Sequence, residues 1–67
     1  MPGEFDPNER NREIGLILAR ARDRNRKTLA ECAAHIGTAR KRYRQIERGI
    51  SYVTAVELEQ LARYLSI

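Results

Sequence analysis

Two Thr-x-x-Glu boxes, Thr28 to Glu31 and Thr54 to Glu57, each stand directly before an apolar stripe of helical period, and they constrain this chain more than any other feature. In such a box the threonine hydroxyl takes the N–H three residues on and the glutamate returns to the threonine N–H, so two backbone donors are satisfied where a helix begins. Behind the first box, Leu29, Cys32, Ala33 and Ile36 follow i, i+3, i+4, i+7 spacing; behind the second, Leu58, Leu61, Ala62 and Leu65 do the same, with Val53 placed to staple onto Leu58. A third opening is Asp6 with Pro7 next and Glu9 three residues on, because proline lacks the N–H that would go unpaired. Gly37 and Gly49 supply left-handed stops, and Thr38 can begin a new helix at once. These signals predict helices over 7–24, 29–36, 39–48 and 55–65, after a flexible N-terminus at 1–6. No stretch alternates with period two, so the chain reads as all-α: one compact domain over 1–67, with four helices.

The first helix should turn Ile14, Leu18 and Ala21 inward, with Ile17 at the edge. Gly15 in its interior costs roughly 1 kcal/mol against alanine, which points to another backbone passing close by. At about 100° per residue, Ala39, Tyr43 and Ile46 form the buried edge of the third helix. Lys41 and Arg48 then point most nearly away, followed by Arg44 and Gln45, with Arg40 on the flank. The expected result is a rigid cationic rod from Ala39 to Arg48, anchored from behind by Tyr43 and Ile46.

Charge follows the same division. Ten of the thirteen basic side chains lie between Arg20 and Arg48 against three acids, so that segment carries +7 of a chain whose net charge is +4. A polyanion is the partner such a field attracts. Other functions lack their parts. One cysteine cannot form an internal disulfide, and Cys32 with His35 cannot make a closed zinc site without a second ligand pair. Cys32, on the apolar stripe, is expected in the core and His35 in solvent. One histidine and no evident nucleophile, base and pocket set argue against catalysis, so no catalytic residue, metal or cofactor is assigned and the chain is read as a non-enzyme. No apolar run approaches a membrane span and the start has no export signal, which places the protein in the cytoplasm.

Gly15 and Arg22, Thr28 to Glu31 with Ala33, Gly37, and the ending Ile46-Glu47-Arg48-Gly49 together resemble the Cro and lambda-repressor type (XRE family) of helix-turn-helix domain, over about Ile14 to Leu65. The resemblance implies a lambda-repressor-like fold of four helices or an incomplete set of five, double-stranded DNA as partner and transcriptional regulation, repression being the expected role. In that family the third helix enters the major groove. Base-reading positions carry over to Ala39, Arg40, Lys41, Arg44 and Gln45, with Arg and Lys suited to guanine and Gln45 to adenine N6 and N7. Phosphate contacts carry over to Thr28, Arg42, Arg48, Ser51 and Tyr52. Arg22 and Glu47 correspond to a structural ion pair of the family; independently, Glu47 sits beside the buried arc, where a half-buried carboxylate needs a partner.

Three positions depart from the family pattern. Leu29 replaces a glutamine that clamps a phosphate, and Lys27 replaces an apolar residue, its stem free to pack while its ammonium reaches a phosphate. Tyr43 replaces a branched aliphatic. With Leu29 and Arg40-Lys41-Arg42-Tyr43 the chain is also similar to the N-terminal helix-turn-helix of the bacterial cell-shape protein RodZ, which implies the alternative of a protein-interaction module, RodZ-like or antitoxin-like. Leu16 and Ile17 fall where the family commonly has polar residues. They either pack under the N-terminus with Phe5 or form a contact patch for a second subunit, a homodimer partner, or a further domain. Ile67 follows the fourth helix at a point where many relatives continue, so a module of a longer protein is expected.

Overall fold

Each helix begins and ends for a local reason. The computed structural model describes residues 7–67, with α1 over Pro7–Arg24, α2 over Leu29–His35, α3 over Arg40–Glu47 and α4 over Ala55–Tyr64. Both capping boxes are formed: the Thr28 hydroxyl accepts from Glu31 N–H at 3.0 Å and Glu31 accepts from Thr28 N–H at 2.7 Å, and Thr54 and Glu57 repeat the exchange at 3.1 and 3.0 Å. Asp6, the expected opening of α1, and Phe5 lie outside the described residues. α3 has no side-chain cap. Its N-cap is Ala39 rather than Thr38, because Ala39 is the last residue with extended backbone, at φ −73° and ψ 148°.

All four helices close with the same pair of backbone hydrogen bonds. A left-handed residue donates to the carbonyl three back and the next residue donates to the carbonyl five back, the Schellman arrangement. After α2 and α3 the left-handed residue is Gly37 (φ 71°) or Gly49 (φ 78°); after α1 and α4 it is Arg26 (φ 55°) or Ser66 (φ 58°). Since the C-cap residue stands outside the helix, α2, α3 and α4 each end one residue earlier than the periodicity suggests, at His35, Glu47 and Tyr64.

The core is Leu18 and Ala21 from α1, Cys32 and Ala33 from α2, Tyr43 and Ile46 from α3, and Leu61 and Leu65 at the end of α4. Ile14, Leu29, Ile36, Val53, Leu58 and Tyr64 rim it. Each large aliphatic buried this way contributes about 1.5–3 kcal/mol. Ala39 is corrected: it is exposed, because it precedes the helix and the helical wheel does not govern its direction. Gly15 is where α1 and α3 cross. A Cβ there would drive into the carbonyl oxygens of Ile46 and Glu47, so only glycine lets the end of α3 lie this close. Asn25 ties the ends together, its Nδ2 donating to Ala21 O at 2.8 Å and to Leu65 O at 2.7 Å. Among the described residues no helix is long and apolar enough to cross a membrane.

Candidate nucleic-acid interface

The position of α3 is set by what it buries. Tyr43 and Ile46 are 0% and 1% exposed, and they fix which way the rest of the helix points. Arg40, Lys41, Arg44 and Arg48 are exposed, and none has an ion-pair partner among the described residues. Three cations on α3 and one at its C-cap repel one another by a few tenths of a kcal/mol per neighbouring pair, a cost that no acid among the described residues offsets. Exposed Ala39 leads this face and half-buried Gln45 lies beside it.

Arg42 goes elsewhere. Its Nη1 donates to Glu57 Oε2 at 2.8 Å and to Thr38 Oγ1 at 3.3 Å, and its Nη2 donates to Glu57 Oε1 at 3.0 Å and to the Tyr52 carbonyl at 3.0 Å. With four of five N–H donors committed, Arg42 clamps α3 to α4 and to the loop between them, and the phosphate contact expected of it is left to its Nε–H. The Arg42 guanidinium, helped by the capping N–H of Thr54, pulls the Glu57 carboxyl down to about 2. Glu57, legible in the sequence as a capping residue, thus does a second task that its spacing did not reveal.

Ser51 is likewise turned inward. Its hydroxyl donates to Gln45 Oε1 at 3.2 Å and its backbone N–H donates to the Gln45 carbonyl at 3.3 Å. A serine has one hydroxyl proton, and here it goes to Gln45, so Ser51, expected to contact phosphate, is in this structure the partner of Gln45. The Tyr52 side chain stands in solvent at 66% exposure. Thr28 is exposed at the start of α2, its oxygen occupied as acceptor and its proton unassigned. Lys27 packs as well as points outward, its ammonium 4.9 Å from the centre of the Tyr64 ring. His35 is exposed yet stacks on the same ring, centroids 4.0 Å apart at 12°.

Behind the rod, the structure brings Arg22 and Glu47 together. Nε donates to Oε2 at 2.8 Å and Nη2 to Oε1 at 3.2 Å, while Nη1 donates to the Lys27 carbonyl at 3.1 Å. The hydrogen bond to Glu47 raises the Arg22 pKa. Tyr43 ends in this region with a fully buried hydroxyl that has no well-formed hydrogen bond; burial, then Glu47, push its pKa far up. Cys32 is buried beside it, its thiol pushed up chiefly by burial. Leu16 and Ile17 are 49% and 54% exposed, and Ile17 joins Ile14, Leu18, Leu58, Ala62 and Ile67 around an apolar cleft of about 300 Å³.

Two short helices joined by a glycine turn, the second carrying an uncovered cationic face, define a helix-turn-helix unit. The family model described as helix-turn-helix matches residues 18–67, three-quarters of the chain, and the chain belongs to that family, the XRE class, a class of DNA-binding regulators. No curated protein and no solved structure matches the chain significantly.

Proposed function

We propose that this chain binds double-stranded DNA in a sequence-dependent manner as a transcriptional regulator, acting as a repressor by occupying an operator, with α3 entering the major groove. One observation carries the reading: Arg40, Lys41, Arg44 and Arg48 stand outward from a helix anchored by Tyr43 and Ile46, and no acid among the described residues pairs with them. Arg40, Lys41 and Arg44 read base edges, with guanine O6 and N7 as the acceptors that suit them. Arg48, Lys27, Thr28 and Tyr52 contact phosphates on either side. Two copies bind half-sites about 34 Å apart.

The test is binding to random duplex DNA at two salt concentrations, followed by selection from a random duplex pool. The expected outcome is affinity that falls steeply with salt, as displaced counterions require, together with one enriched motif. Weak, salt-insensitive binding with no enriched motif would overturn the proposal and assign the cationic face to an acidic protein.

A further inference from the structure

We propose that Ser51 is a positioning residue that holds Gln45 as a hydrogen-bond donor, so that this position selects guanine over adenine; the inference rests on α3 entering the major groove. A glutamine reads adenine with both ends of its amide, the oxygen accepting from N6 and the nitrogen donating to N7. In this chain the oxygen is engaged. Ser51 Oγ donates to Gln45 Oε1 at 3.2 Å, and Nε2 has no partner among the described residues.

The loop that delivers Ser51 is built to return to this residue. Gly49, at φ 78°, reverses the chain; Ile50 N–H then donates to the Gln45 carbonyl at 2.9 Å, and Ser51 N–H donates to the same oxygen at 3.3 Å. Three donors from two consecutive residues therefore converge on Gln45, two on its backbone and one on its side chain. A side chain at Gly49 would strike Arg12 of α1, so the reversal is also held from the far side. Nε2 is left with two N–H groups to donate, while the oxygen, which keeps its second lone pair, is held toward Ser51. In the major groove, guanine presents O6 and N7 as adjacent acceptors for the unpaired N–H groups, whereas adenine presents N7 beside an N6 donor, which asks for the oxygen that Ser51 holds toward the loop. Selection of guanine follows from an intramolecular contact, with no difference in the reading residue itself.

The experiment selects sites from a random duplex pool with the full chain and with its Gln45→Ala, Ser51→Ala and Ser51→Thr variants, and measures affinity for random duplex alongside. Gln45→Ala identifies the base position that Gln45 reads. The expected result is guanine at that position for the unaltered chain, a shift of about tenfold toward adenine in Ser51→Ala, and guanine restored in Ser51→Thr. Adenine selected by the unaltered chain, or the same base selected by Ser51→Ala, would overturn the inference while leaving major-groove reading intact. An enriched motif that Gln45→Ala leaves unaltered would do so too. Enrichment of nothing by any of the four proteins would instead remove the reading on which it rests.

Discussion

Arg22 on α1 grips Glu47, the last residue of α3, through two parallel N–H donations of 2.8 and 3.2 Å, with the Glu47 side chain only 8% exposed. The pair sits where Gly15 admits the α3 backbone, and the buried Tyr43 hydroxyl faces the same region. Removing one member strands the other charge in a site of low polarity, which costs more than the pair contributes. Arg22→Ala and Glu47→Ala are each expected to lower unfolding free energy by about 3 kcal/mol. The joint replacement Arg22→Met with Glu47→Leu should lose less than either. Urea unfolding of the three variants checks this; losses that simply add would show that the charges act independently.

Gly15→Ala tests the crossing of α1 and α3. Helix propensity alone favours alanine by about 1 kcal/mol. The Cβ would meet two carbonyl oxygens that belong to backbone and cannot swing aside, so a net destabilisation of about 2 kcal/mol is expected. A melting temperature equal to or above that of the unaltered protein would mean that α3 has room to retreat.

Arg26 closes α1 at φ 55°, a conformation that glycine adopts without a Cβ penalty. Arg26→Gly is expected to stabilise the fold by about 0.5 kcal/mol, the relief of strain exceeding the added entropy of the unfolded chain. Thermal denaturation measures it, and Arg26→Ala, which keeps the Cβ, is the control that should bring no gain.

The Arg42–Glu57 clamp gives a dependence on acid. Glu57 titrates at about 2 in the folded chain against an ordinary 4.5, so the unfolded state binds its proton more readily. Stability from this group is complete above about pH 4.5 and is lost as pH falls toward 2, on the order of 2 kcal/mol in all. The stability difference between the unaltered chain and Glu57→Gln should therefore be constant near neutrality and shrink through that window. A difference unchanged down to pH 2 would contradict the linkage.

Arg42 and Arg48 separate structure from binding. Arg48→Ala should reduce the slope of log affinity against log salt by about 0.9 and leave the melting temperature nearly unaltered. Arg42→Ala should do the reverse, because its guanidinium already belongs to Glu57, Thr38 and Tyr52. Anisotropy titrations at several salt concentrations distinguish the two, and a fallen slope for Arg42→Ala would return that residue to the phosphates.

What was legible in the residues alone was what depends on near neighbours. Capping boxes act across three residues, apolar stripes repeat every third or fourth, and Gly37 and Gly49 announce their own backbone angles. From these the four helices, most of the core and the outward cations could be read. The left-handed endings at Arg26 and Ser66 could not, because neither residue type favours that conformation. Ala39 was misjudged because a periodicity continues on paper past the point where the helix has begun.

The sequence by itself determined where α2 and α4 start, most of the stripe that each helix buries, and that positive charge gathers on the middle of the chain. Only the tertiary structure decided which of those charges remain free. Arg42 and Arg44 are the same residue type two positions apart, yet α4 lays Glu57 against the first, fifteen residues away, and leaves the second in solvent. Ser51 and Asn25 were assigned in the same way, by the elements folded over them. The physical reason is that a long polar side chain is satisfied equally by water or by a well-placed partner, and the placement of that partner is a property of packing between helices.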